Sequence, residues 1–445
     1  MKRKFLQSIV ATMAMVTLVG CGATNVTQDV AESESEIYEF SETTGETTDE
    51  TTSETIEANA NEHDNDFIEN TEYEKPESYS LENAVNLIDT LAESKDGNIV
   101  ISETSLNMAL GLLGPGAAGE TSDTILTYLS NSHYAEVMDD VRIRDNAIIN
   151  RYAKNENIVL NIANSVWTNN DTVLKESYIN LLKAYYNAEA NTRDFVGDTS
   201  NVTDEINDWV NDATNNKITS IVTPDVVRTS SNILVNALYF NGDWECEFDD
   251  DHVNEEVFTN KDGSESTVTM MYDNDLCSYY ENDFATAFAK YYEGHSIAFV
   301  GILPKDENYE SISSLKLDTL MTNESYDVDE VHIKMPKFIV EDSNTLSDVL
   351  SNGVLNSIFK FDANFSNMSD SQLFVDRILQ KTYVDVNEHG TEAAAVTAVV
   401  TKTLSMAPSD ELTIKEIYLD RPFVFMIYDF ENNECLFIGK INNMQ

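Results

Sequence analysis

From Leu81 the apolar residues recur at helical spacing, with Leu81, Ala84, Val85, Leu87, Ile88 and Leu91 on one face, whereas beyond Ile233 they come in short β-branched runs. Helices first and strands later describe an α+β fold, not the alternation that builds a parallel α/β sheet. The first helix stops at Lys95-Asp96-Gly97, a short strand covers Asn98 to Ile101, and Ser102 caps a second helix carrying Leu106, Ala109, Leu110 and Leu113. Further helices are expected through Thr214, over Glu120 to Leu129, Lys175 to Asn187 and Thr203 to Asn215. Strands are expected at Ile233 to Phe240, Thr267 to Met271, Ile297 to Leu303, Val331 to Phe338, Leu379 to Val386, Phe423 to Tyr428 and Cys435 to Ile441. No repeat with a period of roughly 20–50 residues is present. Nothing marks a linker after Leu81, so residues 79–445 are expected to form one large domain.

The N-terminal part has a different character. Lys2, Arg3 and Lys4 precede a mostly apolar stretch from Phe5 to Val19, the pattern of a secretion signal and too short for a comfortable membrane span. It ends in Leu18-Val19-Gly20-Cys21, which looks like the lipobox of bacterial lipoproteins, implying a signal peptide over 1–20 and a lipidated Cys21 at the mature terminus. Residues 22–78 then hold eighteen acidic residues, one Lys and many Thr, too little apolar content to drive folding. With Cys21 they read as an acidic tether lifting the domain off a surface. Localisation at the outer face of the cell envelope follows as the expectation.

The formal charge of −52, from 27 basic and 79 acidic residues, argues against nucleic-acid binding and against an anionic membrane surface, leaving a lipid anchor as the only expected membrane contact. A heparin-like polyanion is disfavoured for the same reason. The body keeps Cys246, Cys277 and Cys435, an odd number at wide spacings, so neither a disulfide framework nor a zinc site is expected and all three read as buried apolar side chains.

Enzyme motifs fare poorly. Gly114-Pro115-Gly116-Ala117-Ala118-Gly119 fits G-x-G-x-x-G, with Asp139 twenty residues beyond Gly119, yet the glycines follow a helix where a dinucleotide site needs a strand. They read as a helix-to-helix turn. No G-x-S-x-G elbow, H-E-x-x-H or phosphate loop occurs, the six histidines are scattered, and carboxylate pairs carry no information in so acidic a chain. No enzyme, cofactor or metal is expected.

The unusual segment is Asn387 to Pro408, NEHGTEAAAVTAVVTKTLSMAP. After Gly390 it is small and β-branched with no proline before Pro408, so it can enter a central strand without blocking the ladder. One face of that strand would carry Thr391, Ala393, Ala395, Thr397 and Val399, all uncharged. It can be a loop or a strand.

At this point the chain resembles the serpin family from about Leu81 to its end. The matches run in order: Asn98-Ile-Val-Ile-Ser102 with Ser105, Gly116 to Thr121, Ala163-Asn164, Ile206-Asn207 with Trp209-Val210, Val235 to Trp244 with Phe248, Lys334-Met-Pro-Lys-Phe338, Val386 to Ala395, Asp420-Arg-Pro-Phe423 and Phe437-Ile-Gly-Lys440. The resemblance implies three β-sheets, about nine helices and an exposed reactive-centre loop. It also implies a monomeric suicide substrate that forms a covalent complex with serine-type proteases when its cleaved loop inserts into the main sheet, a strand addition that releases stored strain.

Carried over residue by residue, Glu388 stands seventeen positions before the scissile bond, placing that bond at Leu404-Ser405 with Thr403 or Ser405 as neighbouring attack sites. The hinge comprises Glu388, Gly390, Thr391, Glu392, Ala393, Ala394 and Ala395, with Thr391 the first inserting position. Leucine before the bond suits chymotrypsin-, elastase- or subtilisin-like pockets and offers no cation to a trypsin-like one. Ser102, Ser105 and Asn236 match the polar cluster under the sheet opening, and Trp244 the place where the loop enters. Three departures stand out: Glu103 where proline is common, His389 in place of an acidic hinge residue and expected at the solvent surface, and Gln380 where the cluster commonly has histidine. The competing expectation is a non-inhibitory surface lipoprotein on the same fold.

Overall fold

The computed structural model describes residues 80–444 apart from 132, 134, 136–137, 154–157, 187, 275–276, 324–327 and 392–411. The leader, Cys21 and the acidic tether lie outside the described residues, as do Glu392, Ala393, Ala394, Ala395 and the Leu404-Ser405 bond.

Nine α-helices are described: α1 Glu82–Ala92, α2 Glu103–Leu113, α3 Glu120–Asn131, α4 Met138–Ala153, α5 Glu176–Tyr185, α6 Thr199–Ala213, α7 Pro224–Thr229, α8 Leu317–Met321 and α9 Leu346–Leu350. Sixteen strands accompany them. The first eight are β1 Ile99–Ile101, β2 Ile158–Asn169, β3 Glu189–Arg193, β4 Asn232–Asp243, β5 Val253–Thr259, β6 Glu265–Asp273, β7 Ser278–Glu281 and β8 Ala285–Tyr291. The rest are β9 Ile297–Pro304, β10 Glu330–Pro336, β11 Phe338–Thr345, β12 Arg377–Val386, β13 Gly390–Thr391, β14 Ile414–Tyr418, β15 Phe423–Asp429 and β16 Glu434–Ile441.

The strands form three sheets in the orders β1-β16-β15-β9-β8-β7, β14-β10-β6-β5 and β11-β12-β13-β4-β2-β3. The last is the main sheet. Its central seam pairs β12 with β4 in parallel from Arg377↔Ile233 to Tyr383↔Tyr239, and at one end β13 lies antiparallel to both. The first sheet carries the most apolar strands, β9, β15 and β16, buried along nearly their whole length as expected for strands covered on both faces. Gly439 has a reason to be glycine: a Cβ there would overlap the Phe425 ring, itself stacked on Phe299 at 5.4 Å.

Helix α2 begins at Glu103 even without a proline, because the Ser102 hydroxyl accepts from the Ser105 N–H and caps the first turn. Every residue of α2 is buried beneath the main sheet and β16. The glycine cluster after it is a short 3₁₀ turn, Gly114–Gly116, joining two helices.

Several expectations need correction. The stretch before Thr214 is not all helix, since β2 and β3 pair in parallel and β2 flanks β4 along eleven residue pairs. Asn161 and Asn164 interrupt the apolar pattern of β2 and hide it from a periodicity reading. The run Val331 to Phe338 is two strands in two sheets, because Pro336 has no N–H to continue the ladder and Phe338 opens β11 in the main sheet. Helices α4, α7, α8 and α9 and strands β5, β7, β8 and β14 are additions to the expected elements. Of the three cysteines only Cys435 is buried; Cys246 and Cys277 are half-buried.

Candidate functional site: the seam of the main sheet and its upper end

Two groups of side chains lie along the β12–β4 seam and at its end. The lower one lies where Gln380 and Asn236 are direct cross-strand partners. Gln380 Nε2 donates to Asn236 Oδ1 at 2.6 Å and to the Ser102 carbonyl at 2.8 Å, and its Oε1 accepts from the Ser102 N–H at 3.1 Å. Asn236 Nδ2 in turn donates to the Ser105 carbonyl at 2.9 Å, to the Ser105 hydroxyl and to Asn164 Oδ1. The structure thus brings together Ser102, Ser105, Asn236 and Gln380, all almost wholly buried, and adds Asn164 from β2. A buried network with its groups paired favours one arrangement, because any partial opening strands polar groups away from water. Gln380 keeps the donor and acceptor of an amide and carries no titrating proton.

The upper group surrounds the β12–β13 connection. The Trp244 N–H donates to the His389 carbonyl at 2.9 Å, Trp244 Nε1 to the Asn387 carbonyl at 2.9 Å, and the Phe248 N–H to the Glu388 carbonyl at 2.9 Å. The turn is closed internally by the Asn387 N–H on the Gly390 carbonyl and by the His389 N–H on Asn387 Oδ1, each 2.9 Å. Thr391 is fully buried, paired with Gly242 on one side and Val386 on the other. Of the expected hinge, Gly390 and Thr391 thus lie within the sheet.

Side-chain charges brace the same turn. Lys337 Nζ sits 2.6 Å from Glu388 Oε2. Burial works against ionisation of Glu388, but the Lys337 hydrogen bond and charge, a backbone hydrogen bond and the neighbouring His389 together outweigh it and hold the carboxyl below its ordinary value. His389 is not at the open surface: its ring is held 3.3 Å from Glu247 and 4.0 Å from Glu388, with 29% of the side chain exposed. Beneath the turn, Trp244 stacks on Tyr292 at 4.4 Å and Lys290 lies 4.3 Å from the Phe248 ring centre, its ammonium paired with Asp273.

Sequence reasoning named Trp244, Glu388, Gly390 and Thr391 here and missed Lys337, Lys290 and Tyr292. Lys337 stands inside the Lys334 to Phe338 motif and could have been found. Tyr292 stands beside Tyr291, and no local pattern separates the two. Among the described residues no group of three or more His, Cys, Asp or Glu side chains is arranged to hold a metal ion.

The chain with these three sheets, and a two-residue strand wedged into the central seam of the main one, matches known proteins along most of its length. The family described as "Serpin (serine protease inhibitor)" matches residues 79–444. The chain belongs to the serpin family. An uncharacterized serpin-like protein of Methanosarcina mazei is 33% identical over 351 residues, which cover 77% of this chain and 81% of that protein. Leukocyte elastase inhibitor A of Mus musculus is 30% identical, with 80% of this serpin and 96% of that one covered. Among solved structures, the thermophilic serpin tengpin in its native state aligns with a TM-score of 0.69 at 26% identity, covering 85% of this chain and 98% of its own. Arabidopsis AtSerpin1 in its native stressed conformation gives 0.70 at 25% identity, covering 82% and 98%. Members of this family are mostly protease inhibitors that complex with their targets, and some, as ovalbumin, are not inhibitory. The three-sheet α+β fold expected from the resemblance is the fold found.

Proposed function

We propose that this serpin is a suicide-substrate inhibitor of chymotrypsin-, elastase- or subtilisin-like proteases, attacked at Leu404-Ser405. The observation that carries the reading is the register of β13. Thr391 pairs with Gly242 and with Val386, residues 144 apart, and the β12–β4 seam runs at the same offset, Tyr383 with Tyr239. A strand continued from Thr391 would meet both neighbours in register, so the seam has only to part sideways by about one strand spacing, roughly 4.8 Å, and not to slide. The residues that would then face the seven existing seam pairs are 394–400, AAVTAVV, uncharged and free of proline.

The chemistry follows from ordinary acyl transfer. The protease serine attacks the Leu404 carbonyl, the peptide bond to Ser405 breaks, the amine leaves with its proton, and an ester joins Leu404 to the enzyme. Insertion of the freed strand adds ladder hydrogen bonds on two sides, and completing it before water reaches the ester drags the enzyme along. The uncleaved state is a kinetic trap whose stored difference powers that step.

The test is incubation with chymotrypsin, elastase and subtilisin. A complex that survives boiling in detergent and a released peptide beginning at Ser405 are expected. Cleavage with no complex and no gain in thermal stability would instead favour the non-inhibitory reading, in which the fold serves only as a binding body. For the N-terminal part we propose that Cys21 is lipidated and that residues 22–78 tether the domain outside the cell; a Cys21→Ser form partitioning into membranes like the parent would refute it.

A further inference from the structure

Tyr292 is fully buried, immediately after β8, and its hydroxyl lies 2.6 Å from Thr391 Oγ1. Its ring has no freedom to turn away. One face stacks on Trp244 at 4.4 Å and 11°, and Phe240 packs edge-on at 5.1 Å and 64°. The flanking backbone is pinned by the Tyr292 N–H on the Ile297 carbonyl and the Glu293 N–H on the Asp243 carbonyl, both 2.9 Å. Opposite Thr391 stands Gly242, where a Cβ would come within 3.2 Å of the Tyr292 ring and 3.1 Å of Phe240. The missing side chain on β4 makes the room that this ring occupies directly beneath the first inserted pair.

We infer that Tyr292 is a positioning residue that sets the register in which the reactive loop enters the main sheet, a role that rests on the inhibitory reading above. A strand that slips by one residue turns every side chain to the opposite face. Slipped one way, Gly390 would stand over Tyr292 and leave its buried hydroxyl unpaired. Slipped the other way, Glu392 would bring a carboxylate into an apolar site. Both errors cost more than the native arrangement, which satisfies two buried hydroxyls with one hydrogen bond. Only Thr391 fits. Because the offset at Thr391 equals that of the seam below, a correct first pair commits all later pairs, whereas a wrong one stalls insertion while water hydrolyses the ester.

The experiment uses the full-length chain with subtilisin and chymotrypsin and measures cleaved, released inhibitor per trapped complex beside the rate of loop cleavage. Tyr292→Phe keeps the ring and Thr391→Val keeps the volume. Each should raise the released fraction about fivefold or more with cleavage rates within about twofold of the parent. The double variant should match either single one, and Thr391→Ser, which keeps a hydroxyl, should behave like the parent. Unchanged partition in both single variants overturns the inference, as do single effects that multiply in the double. If the parent traps neither protease, the inhibitory reading fails on its own. The rate of the tryptophan fluorescence change after cleavage then decides: about fivefold slower insertion in both single variants upholds the role of Tyr292, and equal rates, or no insertion by the parent, overturn it.

Discussion

Gln380 on β12 donates to Asn236 on β4 at 2.6 Å directly across the seam, and the same amide nitrogen reaches the Ser102 carbonyl at the cap of α2. One side chain thus ties β12 and β4 to the helix beneath them. Parting β12 from β4 at this pair breaks the Gln380–Asn236 hydrogen bond and leaves two buried amides short of a partner.

Gln380→Leu should therefore lower native stability by about 2–4 kcal/mol, because Ser102 N–H, Ser102 C=O and Asn236 Oδ1 lose a buried partner together. The urea midpoint of unfolding measures it. The same variant should convert on warming to a loop-inserted, non-inhibitory form faster than the parent.

Under the proposed function, Thr391→Arg should leave a chain that is cleaved by the protease without trapping it. The position is fully buried, and a guanidinium there has no partner in the Tyr292, Trp244 and Phe240 environment. Loop cleavage should persist at a comparable rate while the detergent-stable complex disappears. A variant that still traps protease as well as the parent would show that insertion does not begin at this residue.

Arg144 on α4 and Glu434 on β16 form a buried ion pair at 3.0 Å, with the Thr104 hydroxyl also within 3.5 Å of the carboxylate. Burial pushes the Glu434 carboxyl above its ordinary value, and the Arg144 charge opposes that push. Removing the paired cation in Arg144→Leu leaves a buried carboxylate with only the Arg151 charge and the Thr104 hydroxyl to oppose its burial, and should cost about 3–5 kcal/mol, read from equilibrium unfolding.

Acid should weaken the fold through Glu281. Hydrogen bonds from Lys305 and Tyr279, with Lys415 adding a third, bring its carboxyl down from 4.5 to about 2 against a smaller opposing effect of burial. A carboxyl lowered by folding contributes its full stability above the unfolded value and loses it as pH falls from about 4.5 toward 2. Glu281→Gln should show a shallower fall of the unfolding midpoint across that window than the parent. Equal slopes would place the acid sensitivity elsewhere.

What the amino-acid order determined by itself is local. Apolar spacing marks α1 and α2, Ser102 caps α2 through its own next turn, and β-branched runs mark β4, β9, β12, β15 and β16 within a few residues of their ends. A proline-free run of small residues after Gly390 identifies the segment able to join a sheet. These features depend on neighbours a few positions away, where dihedral preferences and side-chain periodicity act. Tertiary structure decided the rest. Strand β2 is recognisable only once Asn164 has Asn236 to pair with, and Tyr292 matters only because Thr391, 99 residues on, is laid over it. Arg144 and Glu434 are 290 residues apart, and His389 leaves the surface only when the β4 exit loop carries Glu247 to it. The physical reason is that burial and electrostatic environment belong to a place in space, and the pairing of β12 with β4, 144 positions apart, creates that place.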